Sequence, residues 1–217
     1  YPPAPSVVAA MTAVQVEQLR LYSDPTAKEL KEKLADLYSV KPENVFVSNG
    51  SDEVLNFAFM AFGGNGVIFP EISYGFYEVY ADLYQLNSEK IPLEADFSLD
   101  YRKYCGVNKM VVIANPNAPT GIALSPKEIE TILQSEPDRL VIVDEAYVDF
   151  GGESCIPLIK RYDNLLVTGT FSKTQPSHTI PGTLLPSFRS CIGSIRSHWA
   201  VLGAKVVGST PLMRPLS

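Results

Sequence analysis

A lysine amine can attack a carbonyl carbon and later act as a base, and Lys173 follows a strand-like run, LLVTGT, by only three residues. Alone, a lysine in that position is an ordinary solvated side chain, so its meaning depends on its company. Asp144 and Glu145 emerge directly from another apolar run, LVIV, and at least one of these carboxylates is expected to be partly buried. Such a carboxylate needs a cationic or hydrogen-bonding partner; the plainer alternative is a cap paired with a surface lysine. Asn49-Gly50-Ser51-Asp52-Glu53 follows the run VFVS and opens a helix, which brings backbone donors, a permissive glycine and a hydroxyl to a positive helix end. That arrangement suits a phosphate, although Ser51 or Asp52 can also serve simply as a helix cap. Asn115 to Gly121, NPNAPTG, reads as a rigid turn that exposes its amide side chains. Tyr74, in the loop after VIFPE, can offer a flat face to an aromatic ligand or fill the core.

These residues need elements to hold them, and the chain alternates short Val- and Ile-rich runs with longer amphipathic segments. The pattern predicts an α/β domain with a largely parallel sheet covered on both faces. Strands are expected at 45–48, 66–69, 109–114, 140–143 and 165–168. Helices are expected at 26–38, from Ser51 or Asp52 through Phe62, at 74–83, and after Ser125. Thr26 with Glu29, and Ser125 with Glu128, have the spacing of capping boxes, and Pro126 suits a first helical position. Every candidate residue then falls after the carboxyl end of a strand, where open α/β sheets bind ligands.

Composition limits the alternatives. With 46% hydrophobic and 19% charged residues, the 217-residue chain is neither disordered nor collagen-like. A net charge of -6 argues against nucleic acid or an anionic membrane as the main partner. No apolar run reaches the roughly 18 residues of a membrane span, and YPPAPSVVAAM lacks the basic start of a secretory signal, so the chain is expected to be cytoplasmic. Because it opens on Tyr1 rather than Met, its true start is expected upstream. Cys105, Cys155 and Cys191 form no CxxC pair and read as reduced thiols. GxGxxG after a strand, GxxxxGK[ST], GxSxG and HExxH are all absent, which removes support for nicotinamide, nucleotide-triphosphatase and zinc-hydrolase chemistry. All 24 acidic residues precede residue 174; the remaining 44 residues contain none, while carrying Arg189, Arg196, Lys205 and Arg214. Either this tail is a loop-rich basic subdomain, or its sequence is foreign, as after a frameshift. Within it only 191–207 has the composition for a modest helix or strand.

Taken in order and at their separations, NGSDE, NPNAPTG, DEAYVDF and TFSK resemble the fold-type-I pyridoxal-phosphate-dependent aminotransferases, most closely the histidinol-phosphate aminotransferase family. LRLYSDP at 19–25, SYGFYEVYA at 73–81 and DFSLD at 96–100 agree with that resemblance, which spans residues 1–173. It implies a three-layer α/β/α large domain at 26–173, incomplete at its C-terminus, with 1–25 as a partner-contacting segment and 174–217 as a tail of undefined structure. It also implies pyridoxal 5′-phosphate as cofactor, no metal, and a homodimer. Lys173 would bond the cofactor aldehyde and shuttle the substrate proton. Asp144 would hold the pyridine nitrogen, Tyr147 the phenolic oxygen, and Tyr74 would stack on the ring. Ser51, Asp52 and Ser172 would line the phosphate site, and Tyr22 would reach the phosphate in the neighbouring subunit. The implied reaction is amino transfer between L-histidinol phosphate and 2-oxoglutarate. Other readings are a related transaminase, a threonine-phosphate decarboxylase, or a truncated or frameshifted fragment without turnover. Three departures stand out: Ala118 replaces the family's ring-contacting asparagine, with Asn117 as a substitute; TQPSHTIPG stands where an AGLR segment follows the lysine; and family members are considerably longer. No arginine of the tail matches a family motif.

Overall fold

The computed structural model describes Arg20, Tyr22, residues 24–171, Lys173 and the backbone of 200–204. Runs of β-branched and aliphatic residues become seven strands: β1 (Val45–Ser48), β2 (Val67–Pro70), β3 (Ser88–Ile91), β4 (Met110–Ala114), β5 (Val141–Asp144), β6 (Leu165–Thr170) and β7 (Ala200–Ala204). They form one sheet in the order β1-β7-β6-β5-β4-β2-β3. The pairs from β3 through β6 are parallel, whereas β7 runs antiparallel to both β6 and β1. Two reversals restore direction, so β1 points the same way as β4, β5 and β6. Their carboxyl ends share one edge.

The strands alternate sides with period two, and both sides are covered. Val67, Phe69, Val112, Ala114, Ile142 and Leu166 face a cluster formed with α2 (Ser51–Phe62) and α3 (Phe76–Leu83), including Leu55, Phe59 and Tyr77. Ile68, Val111, Ile113, Val141, Val143, Leu165 and Val167 face the other side, against Ile129, Ile132 and Leu133 of α4 (Pro126–Ser135). A smaller cluster seats α1 (Lys28–Tyr38) on Val45 through Leu30, Leu34 and Ala35. The architecture is therefore the expected three-layer α/β/α arrangement with a mostly parallel sheet.

Local rules hold at some helix ends and yield at others. Ser125 accepts the backbone N–H of Glu128 while the Glu128 carboxylate accepts that of Ser125 at 2.8 Å, which is the predicted capping box. α1 instead begins at Lys28, behind a left-handed Ala27 (φ 46°). Asp24 does the capping expected of Thr26, accepting the N–H groups of Thr26 and Lys28 at 2.9 Å each. Neither Ser51 nor Asp52 caps α2: Gly50, at φ 90°, is its N-cap residue and makes no side-chain cap bond. Glu53 reaches back to accept from the Asn49 N–H at 2.8 Å and from the Ser48 hydroxyl.

β3 was not expected, because its sequence SEKI has no apolar run. As an edge strand it needs apolar contact on little of its surface, and the Glu89–Lys109 and Lys90–Glu78 ion pairs surround it with charge. β7 lies inside the 191–207 window of the acid-free tail. It supplies the strand between β1 and β6, so the sheet extends beyond residue 173. Residues 174–199 and 205–217 lie outside the described residues.

Candidate active site

Register and alternation together build the site. Ala114 pairs with Asp144, and Asp144 with Thr168. Being in phase with Ile142 and Leu166, these residues and Thr170 share the side covered by α2 and α3. Glu145 is one residue out of phase and turns to the opposite side. The two adjacent carboxylates therefore have separate environments.

A cavity of about 350 Å³ opens at this sheet edge. Asn49, Gly50, Ser51 and Asp52 form one wall at the start of α2; Ala114, Asp144 and Thr170 come from strand ends; Tyr74, Ala118, Ala146, Tyr147 and Lys173 come from the intervening loops. Six residues singled out from the sequence thus meet here: Ser51, Asp52, Tyr74, Asp144, Tyr147 and Lys173. Ser172 lies outside the described residues. Tyr22 is fully exposed and does not line the cavity.

Asn117 is placed differently from the expectation. Both amides of the NPNAPTG turn are buried rather than displayed. Asn115 clasps Leu124, donating to its carbonyl at 2.9 Å and accepting its N–H at 2.7 Å. Asn117 donates to the Ile72 carbonyl at 2.9 Å and the Thr120 hydroxyl at 3.2 Å, leaving Ala118 in the cavity wall. The amides thereby satisfy backbone groups at Ile72 and Leu124, in the segments flanking the turn. Both X–Pro bonds, at Pro116 and Pro119, are cis.

Asp144 is 5% exposed. Its Oδ2 accepts the Tyr77 hydroxyl and its Oδ1 the Thr168 hydroxyl, each at 2.8 Å. Burial raises its pKa, against the opposing pull of those two bonds and of the Ala146 N–H. None of the ion pairs among the described residues involves it. A buried carboxylate held only by neutral donors is well suited to receive a cationic N–H from a ligand. Tyr74 donates to Asp52 Oδ1 at 2.8 Å, which fixes its ring beside the start of α2. Burial and that bond both raise the Tyr74 pKa and keep it a neutral phenol.

Tyr77, Thr168 and Thr170 escaped the sequence reading. Tyr77, three residues after Tyr74, is fully buried. The available signal was threonine in an otherwise apolar strand, since LLVTGT places two hydroxyls on the face that Asp144 also uses.

On the other face, Glu145 accepts the Cys155 N–H at 2.5 Å and the Ser154 hydroxyl at 2.7 Å. Burial pushes its pKa up to about 7. Below the ordinary value of 4.5 the acid is neutral folded or unfolded, whereas above about 7 the folded state must carry a buried anion. Native stability is therefore lost as pH rises through this interval. Glu145→Gln keeps the acceptor for Cys155 and offers an N–H to Ser154, imitating the neutral acid. Urea unfolding at pH 4.5 and pH 8 is expected to show the variant gaining on the native chain by on the order of 3 kcal/mol at the higher pH. A gap that stays constant with pH would rule out Glu145 as the titrating group.

The profile of the family described as aminotransferase class I and II matches residues 1–175. A histidinol-phosphate aminotransferase from Lactococcus lactis subsp. cremoris is 48% identical over 177 residues, covering 81% of this chain and 50% of the relative. One from Acinetobacter baumannii is 50% identical over 180 residues, with the same coverage. The chain thus spans about half the length of the curated relatives it matches. Among solved structures, that of histidinol-phosphate aminotransferase from Sinorhizobium meliloti in complex with pyridoxal-5′-phosphate superposes with a TM-score of 0.71. It is 21% identical and covers 93% of this chain and 53% of that one, a likeness of fold.

Proposed function

The chain belongs to the class I and II aminotransferase family, and from that membership we propose that its cavity binds pyridoxal 5′-phosphate for amino transfer from L-histidinol phosphate to 2-oxoglutarate. One observation carries the reading: a lysine amine, a buried acid with no cationic partner among the described residues, and a helix N-terminus border a single cavity. Those groups suit, respectively, an aldehyde, a protonated ring nitrogen and a phosphate.

When bound, the cofactor supplies an electron sink for the pair left by removal of a proton from the substrate α-carbon. Lys173, which lines the cavity, would hold the cofactor's aldehyde carbon through Nζ, and its free amine would take up and return the proton of the substrate α-carbon. Asp144 keeps the ring nitrogen protonated. Tyr147 donates to the phenolic oxygen, and Tyr74 packs on the ring face. The N-terminus of α2, at Ser51 and Asp52, receives the phosphate together with Ser172. Asn117 shapes the wall by holding the Ile72 carbonyl and the Thr120 hydroxyl rather than by touching the ring. Tyr22 contacts the phosphate in a second copy of the chain, which makes the working unit a homodimer acting in the cytoplasm. Its partners are the amino-phosphate donor and the 2-oxo acid acceptor.

The test is to mix the purified chain with pyridoxal 5′-phosphate, reduce with borohydride, and map the modified lysine by mass. A visible absorbance band and a label on Lys173 are expected, and, in a separate unreduced sample, glutamate formation when both substrates are added. Labelling scattered over surface lysines would refute the assigned site. A second reading, cofactor binding without turnover, is favoured by the end of the family match at residue 175 and by the acid-free composition that follows. A Lys173 label with no glutamate would select it.

A further inference from the structure

Three phenols spaced by three residues project from Tyr74, Tyr77 and Tyr80 toward the site. Tyr74 donates to the Asp52 carboxylate at 2.8 Å, Tyr80 to the Asp52 carbonyl at 3.2 Å, and Tyr77 to Asp144 Oδ2 at 2.8 Å. Of the three, only Tyr77 is wholly inaccessible, at 0% exposure. Phe59 stacks beside its ring at 6.4 Å, Phe69 meets it edge-on at 5.9 Å, and Tyr74 crosses it at 5.6 Å and 80°. A ring wedged in this way cannot turn its hydroxyl to water, so Asp144 is its acceptor.

Asp144 is constrained in return. A staggered χ1 and a broad, roughly two-fold χ2 would ordinarily let a carboxylate turn. Here Thr168 holds Oδ1 from β6 while Tyr77 holds Oδ2 from α3. With the Ala146 N–H as a third donor, one of the carboxylate's four acceptor positions remains, and the residue still borders the cavity.

We propose that Tyr77 is a positioning residue: its O–H, opposed by the Thr168 hydroxyl, locks the plane of the Asp144 carboxylate so that its remaining lone pair faces a cationic ring N–H in the cavity. This rests on the cofactor reading above. The same bond stabilises the ionised form of Asp144 against burial, so its loss makes the acid harder to ionise. The other groups in that field are Asp52 on α2, which opposes ionisation, and Tyr74, Tyr147 and Lys173 around the cavity.

The test uses Tyr77→Phe, which preserves the ring and removes one oxygen, and Thr168→Val as an independent variant should the first fail to fold. In the unliganded chain, carboxyl carbon-13 resonances of labelled aspartate report the titration of Asp144, assigned by its loss in Asp144→Asn. Each variant is expected to raise that midpoint by about one pH unit, equivalent to about tenfold in the ionisation constant. A merely structural tyrosine would lower thermal stability and leave the midpoint unmoved, and that outcome overturns the proposal. With pyridoxal 5′-phosphate added, the acid limb of binding should move by the same amount. Since the carboxyl titration needs no cofactor, a chain that showed the shift but no Lys173 adduct would refute the cofactor reading while upholding the Tyr77–Asp144 lock.

Discussion

Lys173→Ala is expected to abolish the borohydride-stable cofactor adduct in the cavity and to lower any amino transfer by roughly 10⁴-fold. Lys173 is the one lysine in the cavity lining among the described residues. It stands beyond β6, whose position is set by pairing with β5 and β7. A fixed amine reacts at an effective concentration that a free surface lysine cannot match, because its translational and rotational freedom was surrendered on folding. Alanine leaves the α2 N-terminus and Asp144 in place, so the variant should still bind the cofactor non-covalently. The readouts are the visible band, the mass of the labelled peptide, and quenching of protein fluorescence by bound cofactor. An unchanged band in the variant would exclude Lys173 as the bonding amine.

Asp144→Asn should act on the electronics rather than the bond. A near-isosteric amide keeps contact with Tyr77 and Thr168, since both hydroxyls can reorient, but it carries no negative charge to hold a protonated ring nitrogen. Breaking such a buried charged contact costs about 2 kcal/mol or more, which corresponds to a loss of cofactor affinity of at least roughly 30-fold. Turnover should fall further, by on the order of 10²–10³-fold, because the missing charge acts most strongly as the carbanion develops. The native chain offers a parallel test through pH. Burial raises the Asp144 pKa, so its charge is present above the folded value and is lost as pH falls through it. Cofactor affinity should therefore weaken on the acid side in the native chain and lose that dependence in Asp144→Asn. A variant with native affinity and native rate would remove Asp144 from the ring-nitrogen role.

Much of the fold follows from local patterns. The expected 45–48 segment coincides with β1, and the four other expected strands fall within a residue or two of β2, β4, β5 and β6, since short continuous apolar runs bounded by turns admit few alternatives. The Ser125 box was legible because capping is settled within four residues. The Thr26 box was not: Asp24, lying just outside the pattern, competed for the same N–H groups. β3 eluded the pattern because an edge strand borrows its order from β2, its neighbour, and little from its own side chains.

For the site, residue types, order and spacing were enough to assemble Lys173, Asp144, Tyr147, Tyr74, Ser51 and Asp52 into one chemical proposal. Those signals lie in short contiguous motifs, each just after a strand, and a parallel sheet brings such positions to a common edge. Tertiary structure decided which way each side chain turns. Asp144 and Glu145 are equivalent acids in the sequence. Only the register of β5 against β4 and β6 sends one to the cavity and the other to Ser154 and Cys155. Asn117 faces inward to donate to the Ile72 carbonyl, 45 residues away, and Tyr77 reaches an acceptor 67 residues away. Such pairings have no local signature, because they arise between segments that meet only when the sheet and its covering helices have packed.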